Sequence, residues 1–225
     1  MARLILLPGL GADERMFENL EGVDPAPVIV RHLVPEPGER LDNYATRVAE
    51  WLAINADDVV GGSSFGGLVA SAVARQRQVR ALVLIGSALD ASALGRSGTL
   101  ARFVPGWLLR SLLLSDRLLE RVFAPEDTQM RQLAQSMLRE APEQLLLQGM
   151  RMMLCYRPTG DVPCPVFAIH GGRDPIMRPP FICGCRVVED AGHGLVWTHG
   201  GVVGEFLDQV LAACSAHSSY SPAKG

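Results

Sequence analysis

The sequence predicts an α/β protein: a mostly parallel sheet of about six strands, flanked by helices and interrupted once by a helical insertion. Three observations carry this. Short apolar runs alternate with segments of helical periodicity up to about residue 87; the alternation is lost over 88–160; and it returns from about residue 161. Strands buried on both faces read as continuous apolar runs, and strands separated by helices pair in parallel. The core is therefore expected in two stretches, 1–87 and 161–214, around a cap or lid at 88–160. A serine-rich tail, 215–225, is expected to be disordered.

In order, Arg3 to Leu7 is a strand that runs directly into Pro8-Gly9-Leu10-Gly11. Val28-Ile29-Val30, within Pro27 to Val34, is a second strand, followed by a loop from Pro35 to Arg40. Leu41 to Ile54 has helical periodicity, with Tyr44, Val48, Trp51 and Leu52 on one side and Asp42, Arg47 and Glu50 elsewhere. Asp58 to Gly62 is a short strand and Gly66 to Arg77 a helix, with Leu68, Val69, Ala72 and Val73 on one face. Val79 to Ile85 is the next strand. Pro105, Pro125 and Pro142 then punctuate helices near 106–123, 126–140 and 143–156. Pro165 to Ile169 and Arg186 to Val188 are the last strands. A final amphipathic helix over 199–213 presents Val202, Val203, Phe206, Leu207, Val210 and Leu211.

With 225 residues, 48% hydrophobic and 20% charged, the chain describes one domain with a sizeable core and room for an inserted subdomain. A net charge of −3 gives no electrostatic argument for nucleic acid or an anionic membrane as partner. Leu4 to Leu7 is too short for a signal peptide, and no run is long enough to span a bilayer, so a cytoplasmic protein is expected. Five cysteines show neither zinc nor redox spacing, and Cys183-Gly184-Cys185 is one residue short of CxxC. Free thiols fit a reducing compartment. No metal or cofactor site is expected.

The segment Val59-Val60-Gly61-Gly62-Ser63-Ser64-Phe65-Gly66-Gly67-Leu68 carries the chemistry. Strand, tight turn and helix surround Gly62-x-Ser64-x-Gly66, the G-x-S-x-G pattern of a nucleophile elbow. A serine hydroxyl is a poor nucleophile at neutral pH, so it must stand exposed on a bend between a base and an acyl carbon. The flanking glycines let the backbone fold back on itself. Ser63 lacks glycines two residues away on both sides.

A serine nucleophile needs a base, the base an orienting carboxylate, and the developing oxyanion a set of donors. After Ser64 the candidates are Asp174, in His170-Gly171-Gly172-Arg173-Asp174-Pro175, and His193, in Ala191-Gly192-His193-Gly194. All three fall in loops after strands, at the carboxyl edge where open parallel sheets place their sites. Asp90, after the fourth strand, is a rival acid, and His199, at a helix start, a rival base. His170 is expected to be a buried, hydrogen-bonded histidine, and Asp13 and Glu14 to solvate the glycine loop or cap a helix.

These residues resemble the α/β-hydrolase superfamily, whose serine hydrolases keep the order Ser, Asp, His. The resemblance covers about residues 3–87 and 162–213, with the insertion in the usual place of a lid. It implies that Ser64 is the nucleophile, His193 the general base and acid, and Asp174 the residue fixing the histidine tautomer. It also implies an oxyanion hole from the backbone N–H groups of Phe65 and Leu10. Relatives usually carry His-Gly in the first-strand loop, and here Pro8 stands in place of that histidine. The two N-terminal strands of larger members are absent, hence about six strands.

The cap carries Phe103, Trp107, Leu108, Leu112, Leu113, Leu114, Leu118, Leu119, Phe123, Leu145, Leu146, Leu147, Met150, Met152 and Met153. Packing a helical cap on the core accounts for most of such stripes, and an apolar acyl channel is the other reading. Its nine arginines against seven acidic residues give no argument for an acyl-carrier or CoA partner. The expected activity is cofactor-independent hydrolysis of small-to-medium apolar acyl esters through an acyl-enzyme. An acyl thioesterase using the same residues and a non-catalytic small-ligand-binding protein on the same fold are the alternatives. The partner is then a small ester or thioester.

Overall fold

A computed structural model describes residues 3–94 and 128–218, together with Ser111 and Ser115. Its strands are β1 (Leu4–Leu7), β2 (Val28–Ile29), β3 (Val59–Ser63), β4 (Ala81–Ile85), β5 (Val166–Gly171) and β6 (Arg186–Val188). They form one sheet in the order β2-β1-β3-β4-β5-β6, and every neighbouring pair is parallel. The chain moves outward from β1 to β2, returns to β3 on the other side of β1, and then proceeds to β6. The direction of winding thus reverses between β1 and β3, and their carboxyl ends open the crevice in which doubly wound sheets bind ligands.

Among the described residues the helices are α1 (Leu41–Trp51), α2 (Phe65–Gln76), α3 (Thr128–Glu140), α4 (Glu143–Cys155), α5 (Leu195–Thr198) and α6 (Gly200–Ser218), with 3-10 turns at Glu14–Phe17 and Ala91–Leu94. Alternate strand residues face opposite layers, as the period of two requires. Leu7, Val60, Leu82 and Leu84 pack with α1 and α2; Leu4, Leu6, Val59, Ala81, Val83 and Ile85 pack with the Glu14–Phe17 turn, α5 and α6. Both faces of the central strands are covered, which is why β1 and β4 contain no polar residue. α2 is buried from Phe65 through Ala74. α3 and α4 divide between the layers: Ala134 and Met137 join the second cluster, Leu145, Met152 and Met153 the first.

Several boundaries differ from the sequence expectation. The helix expected to run to Ile54 stops at Trp51, because Ala53 turns left-handed (φ 47°) and the Ile54 N–H bonds back to the Ala49 carbonyl at 2.9 Å. This closing turn usually uses glycine, so alanine gave no stop signal. β4 begins at Ala81 rather than Val79, β5 extends through Gly171, and α6 continues to Ser218 into the expected tail. Apart from Ser111 and Ser115, the helix expected near 106–123 lies outside the described residues, as do Phe103, Trp107, Leu108, Leu112, Leu113, Leu114, Leu118, Leu119 and Phe123.

Candidate active site

β3 enters the elbow with every residue buried and leaves it as α2. Ser64, between them, has φ 51° and ψ −116°, a conformation that a non-glycine residue adopts only under strain. The strain is held by neighbours. The Ser64 N–H donates to the Ile85 carbonyl at 3.2 Å, and the Ser87 hydroxyl donates to the Ser64 carbonyl at 2.6 Å. A Cβ on Gly66 would overlap the Leu7 and Pro8 carbonyl oxygens, and one on Gly62 would meet Leu7 O and Gly66 itself. Both glycines therefore reflect close backbone approach between β1 and the elbow.

Asp174 and His193 arrive from the far half of the sheet. Gly172 N–H donates to Val188 O at 2.8 Å and Arg173 N–H to Ala191 O at 2.9 Å, stacking the turn after β5 on the turn after β6. A side chain at Gly171 would collide with the carbonyls of Ala191 and Gly192. The stacked turns set the relation of the two side chains: His193 Nδ1 lies 2.8 Å from Asp174 Oδ2, and His193 Nε2 lies 2.8 Å from Ser64 Oγ. The carboxylate only accepts, so the imidazole proton sits on Nδ1 and the Ser64 hydroxyl donates to Nε2. Asp174 Oδ1 accepts from the Ile176 and Met177 N–H groups at 2.8 and 3.0 Å. Burial would raise the Asp174 carboxyl, but hydrogen bonds from His170 and His193 outweigh it and hold its pKa well below the usual carboxylate range.

The three residues picked from the sequence thus meet. Ser64 is partly exposed and His193 and Asp174 are nearly covered. The rivals lie elsewhere in function. Asp90 Oδ1 accepts from the Ser92 N–H at 2.6 Å at the Ala91–Leu94 turn. The His199 ring pairs with Thr198 Oγ1 at 2.8 Å and Asp190 at 3.4 Å. Asp13 caps the Glu14–Phe17 turn through the Arg15 N–H. His170 is fully buried and hydrogen-bonded, as expected, with Nε2 3.0 Å from Met177 O and 3.1 Å from Asp174 Oδ2.

The loop after β1 runs beside the elbow: a Cβ on Gly9 would be 3.7 Å from Ser64 Cβ. Its peptides are tied down. Gly9 N–H donates to Met16 Sδ at 3.2 Å, and Gly9 O accepts from Ala12 N–H at 3.1 Å. The N–H groups of Leu10 and Phe65 donate to no acceptor among the described residues. Phe65 N–H belongs to the first turn of α2, where unpaired donors and the helix dipole favour negative charge. Ser87 and Met16 were not singled out from the sequence. Ser87 follows β4 at the sheet's carboxyl edge, which is a usable signal; Met16 offers none, because its role depends on tertiary placement.

A parallel sheet wound outward from β1 and β3, with a serine on a strained elbow and a histidine and aspartate on the same edge, defines a recognisable class. The sequence matches the alpha/beta hydrolase family over residues 4–205, and the chain belongs to that family. No curated protein sequence matches the chain closely enough to count as a relative. Among solved structures, it is similar to an esterase from Thermogutta terrifontis at 17% identity and TM-score 0.72, covering 95% of this chain and 90% of that one. An enol-lactonase from Burkholderia xenovorans matches at 17% identity and TM-score 0.70, covering 94% and 92%. A thioesterase of the prodiginine pathway in Streptomyces coelicolor matches at 22% identity and TM-score 0.62, covering 95% and 86%. No helix among the described residues is long and apolar enough to cross a membrane.

Proposed function

We propose that the protein is a serine hydrolase that cleaves carboxylic esters of small-to-medium apolar acyl groups through an acyl-enzyme. The observation that carries the reading is the unbroken relay from Ser64 Oγ through His193 to Asp174, with both links at 2.8 Å. His193 Nε2 takes the Ser64 proton as Oγ bonds to the ester carbonyl carbon. The carbonyl oxygen becomes an oxyanion held by the N–H groups of Phe65 and Leu10. The C–O bond to the alcohol then breaks, and His193 hands its proton to that alcohol. Water repeats the cycle on the acyl-enzyme: His193 takes its proton, hydroxide adds to the carbonyl, and Ser64 leaves with the proton returned. Asp174 keeps the proton on Nδ1 and stabilises the imidazolium.

The apolar preference rests on what surrounds the loop. Leu138 of α3 and Leu146 of α4 lie over Gly11, and Gly149 of α4 lies against Leu10 and Phe65. α3 and α4, which belong to the span expected to form a cap, thus press apolar side chains onto the loop proposed to bear one donor. The thioesterase among the similar structures supports a second reading, because thioesters undergo the same acyl transfer.

Initial rates on p-nitrophenyl esters of increasing acyl length, beside matched acyl-CoA thioesters, test both. Ester hydrolysis by the wild type that is lost in Ser64→Ala supports the esterase. A preference for the thioesters favours the thioesterase. No turnover of either class leaves a narrow-specificity enzyme or the non-catalytic binder, and labelling of Ser64 by a fluorophosphonate separates those two.

A further inference from the structure

The carbonyl of Pro8, which opens the loop after β1, is held by a side chain that the proposed mechanism does not use. His32, three residues past β2, places Nε2 2.8 Å from Pro8 O. A carbonyl only accepts, so the proton is on Nε2. Nδ1 is then an acceptor, 3.2 Å from the Tyr44 hydroxyl, whose one proton lies between Nδ1 and the Leu33 carbonyl at 3.0 Å. The His32 ring also packs on the ring of Phe65, with centroids 5.0 Å apart and planes tilted by 49°. Tyr44 and Phe65 are fully buried. Burial pushes the His32 imidazole down to about 4, against a smaller upward pull from Pro8 O, so at pH 7 the ring is neutral with one fixed tautomer.

This single ring reaches both sources of the proposed oxyanion donors. Phe65 supplies one N–H and stacks on the imidazole. Leu10 supplies the other, two residues beyond the carbonyl that His32 binds. The Pro8–Gly9 peptide is tied at both ends, its C=O by His32 and its N–H by Met16 Sδ at 3.2 Å. A trans peptide held on both edges cannot flip. The following peptide is tied at Gly9 O by Ala12 N–H, so the Leu10 N–H points the opposite way from that bond. With Pro8 O released, the one remaining tether on the first peptide among the described residues is a weak sulfur acceptor.

We infer that His32 is a positioning residue for the oxyanion hole: its Nε2–H···O bond to Pro8 fixes the loop that aims the Leu10 N–H, while its ring supports Phe65. The inference rests on the hydrolase reading above. A neutral donor suits the task, because it orients the loop without adding a charge that would bind the oxyanion or a substrate carboxylate in its own right.

The test compares His32→Phe, which keeps an aromatic ring on Phe65 but removes the donor, with His32→Gln, whose side-chain N–H can replace Nε2–H. Each is assayed for kcat and KM on a p-nitrophenyl ester, for the rate of Ser64 modification by a fluorophosphonate, and for Tm. A misaligned donor predicts that His32→Phe loses about 10- to 100-fold in kcat, a part of what removing a donor costs, with KM changed less than about twofold. His32→Gln recovers most of that loss whatever its Tm. A kcat of His32→Phe equal to wild type overturns the inference while leaving the hydrolase standing. So does a loss of kcat that follows Tm and is not recovered by glutamine. A wild type that neither turns over ester nor reacts with the fluorophosphonate overturns the hydrolase reading itself, and this one with it.

Discussion

His170 Nε2 lies 3.1 Å from Asp174 Oδ2, the same oxygen that faces His193 Nδ1 at 2.8 Å. One carboxylate oxygen therefore accepts from two histidines, and the second anchors it from inside the core. The consequence is electrostatic. The carboxyl is held ionised against its burial, and part of that holding comes from His170.

His170→Leu removes a donor from a buried carboxylate and should cost about 1–3 kcal/mol of stability at pH 7. The sign follows from linkage. A carboxylate with a depressed folded pKa contributes stability that is present above its unfolded value and lost as pH falls through the folded one. The deficit of the variant should be full at pH 7 and shrink below about pH 4. Urea melts of both proteins from pH 3 to 8 measure it.

Asp174→Asn keeps the size of the side chain but offers an N–H where His193 needs an acceptor. The imidazole then loses its reason to carry the proton on Nδ1, and kcat should fall by about 10³–10⁴-fold with the fold intact. Initial rates paired with near-UV circular dichroism check this. A drop of less than tenfold would remove Asp174 from the role proposed for it.

The same substitution at two glycines should act on different quantities. A methyl at Gly66 meets the backbone carbonyls of Leu7 and Pro8, which cannot move aside without displacing β1. Gly66→Ala should cost more than about 3 kcal/mol or fail to give folded protein. A methyl at Gly149 would lie 2.5 Å from Leu10 Cδ1 and 3.4 Å from the Phe65 ring, and Leu10 has a flexible tip. Gly149→Ala should stay within about 2 kcal/mol of wild type. It should lower kcat by displacing the loop that bears Leu10. Thermal melts with parallel rates separate the two effects.

His32 gives a distinct pH signature in stability. Its pKa falls from the 6.5 of an unperturbed imidazole to about 4 in the folded chain. Between these values the unfolded state binds more protons, so stability falls as the pH is lowered from about 6.5 to about 4, by at most about 1.4 kcal/mol per pH unit. In His32→Phe that slope should be shallower over the same window.

The sequence showed what repeats along the chain and hid what depends on meeting across it. β4 was legible because Ala81 to Ile85 is an unbroken apolar run, and the elbow because Gly62 and Gly66 bracket Ser64 in that context. Asp174 and His193 could be chosen because both follow strands and so share an edge with Ser64, a consequence of parallel topology alone. Ala53 ended α1 with no glycine to announce it. His32 sits in an irregular stretch after β2 whose spacing says nothing of chemistry; only the sheet order, which puts β2 beside β1, brings its ring to Pro8. Pro8 itself was visible as a departure from the family pattern, and its carbonyl is met here by the imidazole of His32, from the stretch after β2.

The claim at the centre of this account is that Ser64 is a nucleophile activated by His193. The most direct measurement is intact-protein mass after incubation with a fluorophosphonate, for wild type, Ser64→Ala and His193→Ala, with peptide mapping of the adduct. The account predicts one stoichiometric adduct on Ser64 in the wild type, none in Ser64→Ala, and labelling slowed by at least about 10³-fold in His193→Ala. A wild type left unmodified, or an adduct that persists in Ser64→Ala, would contradict it.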